Sequence, residues 1–310
     1  PLNIFCVSQN RNCCQREAKI QANKSTCLEA HSKSNRLTLG FLHGVVDLMG
    51  IDEHFDINYF VLSITAGNVN KNGLESRGRE RKVGNWVFYV SGFFLLSFFL
   101  APMVVGAGEI PEINNGRANA FDFATVDGFW SSGNDDTNPN ETFAWTELDP
   151  YSAFIYAFGD LNCHNKPERS IKINENQMPV CTRDVGIFFG LAVGGFWFSR
   201  KGYNRWTIKD TCLSLLPDKW LVGTYQANRR TLIWLFCGLL LCLPLIIDGF
   251  TQLLTSYESN NITRPITGIG FGIGLGVLIS ASYSARSKFF KSAAQVSLPG
   301  GMKFRLVEEE

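Results

Sequence analysis

The chain has no excess of charge of either sign: 29 Lys and Arg stand against 28 Asp and Glu, a formal net charge of +1. A surface that tracks phosphates needs a basic surplus, so no nucleic-acid partner is expected. None of the nine cysteines forms a Cys-x-x-Cys pair. That sets aside the common zinc-finger spacings, including for Cys6, Cys13, Cys14, Cys27 and His31 near the start. No Met precedes Met49, so the chain reads as a fragment or as a frame extended upstream of its true start. Residues 1–80 show no sustained helical or strand period beyond an apolar patch near 59–64.

Charge is also missing from four long stretches. The runs 84–106, 185–199, 231–247 and 265–285 contain no Asp, Glu, Lys or Arg. The averages, 45% hydrophobic and 18% charged, are ordinary for a soluble protein, and it is the bunching of apolar residues that signals a membrane. A hydrocarbon core about 30 Å thick needs roughly 17–25 helical residues. The first, third and fourth runs meet this directly. The second reaches it with its flanks, where Phe198, Tyr203 and Trp206 suit headgroup depth on one side and 180–184 on the other. The expected fold is therefore all-α: a polytopic integral membrane protein with a four-transmembrane-helix bundle. Its spans are 84–106 and about 184–200, 231–250 and 265–285. Around them lie an N-terminal segment, 1–83, that is weakly structured or not part of the native protein, an irregular loop at 107–150 and a tail at 292–310. Gly186, Gly190 and Gly194 repeat every four residues, as do Gly268, Gly272 and Gly276, which predicts close packing of the second and fourth spans.

Basic residues set the orientation. Five Lys or Arg lie in 71–82 and seven in 200–230, whereas 107–184 carries thirteen acidic and five basic residues, and 248–264 a single Arg. The positive-inside rule then makes both termini and the 200–230 loop cytoplasmic, in a multi-pass protein of the cell membrane, with 107–184 and 248–264 outside. Val105-Gly106-Ala107 after a basic flank and an apolar stretch resembles a signal-peptide cleavage site, but the length of the run favours a retained anchor. Asn140-Glu-Thr and Asn261-Ile-Thr are sequons on the outer face, a triplet common by chance. The aromatic stretch 151–158 suits a short helix along the membrane surface.

Polar chemistry collects at one depth. Leu161-Asn-Cys-His-Asn-Lys-Pro-Glu-Arg-Ser170 is followed by Gln177-Met-Pro-Val-Cys-Thr-Arg-Asp-Val-Gly186, and later by Asp248-Gly-Phe-Thr-Gln252 and Arg264-Pro-Ile-Thr-Gly268. Over about 151–291 these motifs resemble the predicted-membrane-protein family catalogued as domain of unknown function 2085. Its pattern runs Cys-His, Arg-Ser, Pro-Val-Cys-x-Arg-Cys-x-Gly, then Asp-Gly-x-x-Gln and Arg-x-x-Thr-Gly. The resemblance implies no activity. Where that pattern has a second Cys after the Arg, this chain has Asp184, which weakens any site needing four soft ligands.

At 1.5 Å per residue, Asp184 lies roughly 24 Å from Arg200, Asp248 roughly 27 Å from Arg230 and Arg264 roughly 33 Å from Arg286, each reaching the outer edge of the core. Cys163, His164, Cys181 and Asp184 supply a set that zinc accepts in tetrahedral geometry. Glu168, Arg169, Arg183, Asp248, Gln252 and Arg264 stand ready to orient ligands or hold an anionic headgroup, with Asp248, Glu168 and Arg264 as the catalytic candidates. A Cys163–Cys181 disulfide is the alternative in an oxidising compartment. Cys212, Cys237 and Cys242 read as small apolar residues.

Asp248 and Arg264 are expected to pair or to share a polar neighbour. Three functions stay open: a site-bearing protein acting on a lipid-linked or extracytoplasmic substrate, a disulfide-stapled structural or assembly partner, and a small-solute carrier. The carrier is disfavoured because no charge lies at mid-membrane depth. The lipid bilayer is the expected partner, with a homo-oligomer or a membrane-protein partner as further alternatives.

Overall fold

A computed structural model describes residues 70–74, 76–112, 121–125, 143–164 and 166–304. The N-terminal Cys/His group, the 59–64 patch and the Asn140 sequon lie outside these. The described part is helical apart from one small hairpin. Its helices are α1 (Gly78–Val104), α2 (Pro150–Asn162), α3 (Thr182–Lys201), α4 (Ile208–Leu213), α5 (Asp218–Gln226), α6 (Arg230–Leu254) and α7 (Thr263–Ser284).

Three of these, α1, α6 and α7, are long and apolar enough to cross a bilayer, which makes this a multi-pass membrane protein. The fourth expected span, α3, has 20 residues but falls outside that group. The physical reason is its composition: Arg183 and Asp184 at one end and Arg200 and Lys201 at the other confine its charge-free run to 185–199, and small residues take up much of that run. The helix packs against both α1 and α7 and buries Gly186, Gly190, Leu191, Ala192, Gly194, Gly195, Phe198 and Ser199. A helix that faces protein needs small residues more than lipophilic ones.

The two glycine ladders meet each other. A Cβ added at Gly186, Gly190, Gly194, Gly268, Gly272 or Gly276 would fall less than 3.0 Å from backbone atoms of the opposite helix. α1 joins on the other side of α3, with Gly84 against Ser199 and Gly195 against Phe88. Arginines close the helix ends on the basic side. Arg77 donates to the carbonyls of Ser199, Arg200 and Gly202 at 2.9–3.2 Å, and Arg79 to that of Tyr283 at 2.8 Å. Cations on the unpaired carbonyls of α3 and α7 also suit the negative ends of the helix dipoles.

Helix α2 begins with Asp149 accepting from the N–H groups of Tyr151 and Ser152, and with Pro150 in its first turn. Both are standard start signals. It packs inward: Phe158 meets Phe94 at 4.3 Å between ring centroids, and Phe98 and Phe188 complete the cluster. A two-residue hairpin, β1 (Lys172–Ile173) with β2 (Asn176–Gln177), turns through Asn174 and Glu175, both at positive φ. Its Asn176 donates to the Pro102 and Gly106 carbonyls at 2.9 Å and so caps α1.

On the basic side, the loop after α3 is folded rather than open. Leu213, Leu221 and Tyr225 pack with Phe290, Val296 and Leu298 of the tail, so the tail to residue 304 forms part of a small cap.

Candidate functional site

Two close approaches create the site. Gly159 lies so near the Pro179 carbonyl that no side chain fits between them. Cys163, one turn beyond Gly159, is thereby set beside Cys181, which is the residue preceding α3. The Cys181 N–H donates to Cys163 Sγ at 3.2 Å, and Cys181 Sγ lies 3.3 Å from Asp184 Oδ2. One ligand atom from each of Cys163, Cys181 and Asp184 falls within 4.8 Å of the others. Cys181 and Asp184 share a face because they are three residues apart at a helix start.

The two thiols are unequal. A hydrogen bond between the two thiol groups, reinforced by burial, holds the Cys163 thiol well above the usual range. The same bond holds Cys181 below it, and a helix N-terminus favours a thiolate at that position. A buried thiol, a more acidic thiol and a carboxylate thus converge, and the two cysteines are not joined by a disulfide.

His164 is not in this group; it is exposed. Cys163 is extended, at φ −135° and ψ 138°, and in extended backbone successive side chains point to opposite sides. Burying Cys163 therefore turns His164 away, and the expected quartet is a trio. Glu168 is likewise exposed, and Arg169 is half-buried 3.5 Å from Glu258.

A second polar group adjoins the first turn of α3. Arg183 pairs with the buried Asp248 of α6. The same Asp248 oxygen accepts from Gln252 Nε2 at 2.8 Å and Ser259 Oγ at 3.3 Å. Arg264, 1% exposed, donates Nε to the Ser259 carbonyl at 2.8 Å and Nη2 to Gln252 Oε1 at 3.3 Å. Asp248 and Arg264 therefore share Gln252 and Ser259, while the ion-pair partner of Asp248 is Arg183. Gln252 lies one turn from Asp248 on the same face and reads both charges at once.

Sequence reasoning passed over the residues that lock this floor. Thr182 Oγ1 lies 3.2 Å from Asn261 Oδ1 and donates to the Arg169 carbonyl at 3.3 Å, while Asn261 Nδ2 donates to the Ser170 carbonyl at 3.1 Å. Asn261 thus spends its amide inside the protein, which fits a chance sequon. The signal available was its place, three residues before Arg264. Ser259 carried no signal of its own.

These features define a class, a helical multi-pass membrane protein with a Cys2Asp cluster and an Arg/Asp/Gln network at one set of helix ends. Residues 163–278 match the family model described as "Predicted membrane protein (DUF2085)". The match opens on Cys163 itself and takes in α3 to most of α7. An uncharacterised protein of Methanothermobacter thermautotrophicus is 36% identical over 116 residues, covering 37% of this chain and 82% of that protein. One of Methanocaldococcus jannaschii is 31% identical over 129 residues, covering 41% and 68%. The chain belongs to this family. No solved structure matches it.

Proposed function

We propose that this is a four-span membrane protein whose Cys163, Cys181 and Asp184 hold one zinc ion at the outer membrane boundary, next to an arginine-rich floor that receives a lipid-linked or extracytoplasmic substrate. The observation that carries the reading is the convergence of three ligand atoms within 4.8 Å, one from a thiol kept acidic at the start of α3. Three protein ligands leave a tetrahedral ion one open position, the arrangement of zinc sites that do chemistry. Bound there, zinc would acidify a water or polarise a carbonyl or phosphoryl oxygen.

The chain's own residues do the positioning. Asp248 anchors Arg183, Gln252 and Ser259 through one carboxylate oxygen and so sets the floor beside the cluster. Arg169 and Arg183 keep buried Nε groups with no protein acceptor among the described residues, which suits an anionic group on the substrate. For α3 to be the fourth span it needs only its 20 residues, about 30 Å of helix. The basic cap and both termini are then cytoplasmic, and 151–291 is the functional core.

Metal analysis of the purified protein tests the site. About one equivalent of zinc, lost in Cys181→Ser, is the expected outcome. A mass gain of two hydrogens on reduction, with no metal, would instead establish a Cys163–Cys181 bridge and a structural role.

A further inference from the structure

We infer a second, separate site: a lateral cavity between α6 and α7 that takes one acyl chain of an anionic phospholipid from the leaflet on the basic side. The cavity encloses about 540 Å3 and is walled by Trp197 of α3, Cys212 of α4, Trp234, Gly238 and Ile246 of α6, and Phe271 of α7. That volume lies within the range of small-molecule sites, roughly 300–1,000 Å3. Leu235 and Leu239, which also line it, are exposed, so it opens sideways, toward lipid. In α6 the one buried residue is Asp248. Inside a bilayer such an opening fills with hydrocarbon, since an apolar cavity gives water no partners.

Length and charge select the occupant. From Trp234 to Ile246 the cavity follows α6 for about 18 Å at 1.5 Å per residue. One leaflet of a core about 30 Å thick is about 15 Å deep, so the cavity is one lipid tail long. Its basic-side mouth carries the cations. Lys209 lies one turn from Cys212, its Nζ 2.9 Å from Thr231 Oγ1, and among the described residues no carboxylate pairs with it. Arg230 lies one turn from Trp234, and Arg229 is exposed beside it. Helix α6 starts there with no side-chain cap, and a helix start of that kind favours a phosphate. A tail in the cavity thus places its headgroup against Lys209, Arg229 and the start of α6. A zwitterionic lipid gains the same apolar contact and less of the electrostatic one.

The test uses the two tryptophans in the wall, because bromine on an acyl chain quenches indole fluorescence on contact. The full chain is placed in phosphatidylcholine vesicles containing a minor fraction of either brominated phosphatidylglycerol or brominated phosphatidylcholine. Brominated phosphatidylglycerol should quench more strongly, and the excess should vanish in Trp197→Phe/Trp234→Phe. Each of Lys209→Gln and Arg229→Gln should weaken the preference by on the order of fivefold, the worth of one cation near an anionic surface. Gly238→Phe should abolish the excess by filling the cavity; a Cβ there meets nothing within 4 Å, so the fold accepts it. Should that variant fail to fold, the two rim variants, both at the surface, still decide the matter. Equal quenching by the two lipids would overturn the proposal, as would an excess that survives loss of both tryptophans. So would cross-linking that shows a second copy of the chain seated over Trp197 and Trp234.

Discussion

A carboxylate in place of a thiolate changes what residue 184 can hold. Thiolates suit zinc better than carboxylates do, so Asp184→Cys should tighten zinc in competition with a chromophoric chelator, and Asp184→Ala should loosen it. Next to it, Arg183 depends on Asp248. In Asp248→Ala the guanidinium loses its salt-bridge partner, and breaking a buried pair costs about 3–5 kcal/mol. Arg183 retains 22% side-chain exposure, so the lower end is expected, read as a drop in melting temperature in detergent. Arg183→Gln/Asp248→Asn should recover much of it.

A third residue gives a pH signature. Asp160 accepts from Phe123 N–H and Trp145 Nε1–H at 3.0 Å, yet burial raises its pKa from 3.8 to about 6. A carboxyl whose folded pKa is raised contributes stability that is complete below about 3.8 and is lost as pH rises through about 6. The melting temperature of the parent, relative to Asp160→Asn, should therefore climb on going from pH 7 to pH 4. A difference independent of pH would remove burial as the dominant influence on this group.

Among the elements, the α3–α7 seam rests on backbone approach. Gly190→Leu and Gly272→Leu each force the helices apart and should lower the melting temperature sharply or prevent folding. Gly92→Leu in α1, where a Cβ meets nothing within 4 Å, should melt like the parent; equal behaviour of all three would dissociate the seam from stability. The ladders were legible because a period of four marks a helix face without knowledge of the partner. That Asp248 and Arg264 share a level, where both reach Gln252 and Ser259, was legible for a similar reason, since rise per residue fixes height along a helix. It does not fix direction around the axis, and that is why Arg183, rather than Arg264, pairs with Asp248. His164 was misplaced for want of one backbone angle, that of Cys163. The basic-side cap was hidden because Tyr225 and Val296 are far apart in sequence and each segment is too short to show a period.

For the molecule as a whole, the testable feature is its sidedness. Asn204 is 1% exposed and bonded to Glu80 and Arg286, so it makes a poor reporter; Ala227 and Ser256 are exposed on opposite sides. In intact cells an impermeant maleimide mass tag should add to Ser256→Cys, above the labelling of the parent, and not to Ala227→Cys. The reverse would invert the orientation. Helix α6 carries a further consequence. Near its start Arg230 lies 3.4 Å from Asp210 of α4, and near its end Asp248 meets Arg183 of α3. These two fasteners stand 18 residues, about 27 Å, apart, and they have opposite polarity. Threading α6 the other way up would put Arg230 against Arg183 and Asp248 against Asp210. A helix otherwise greasy on all sides is thus keyed like a two-pin plug, able to seat in one direction and at one height.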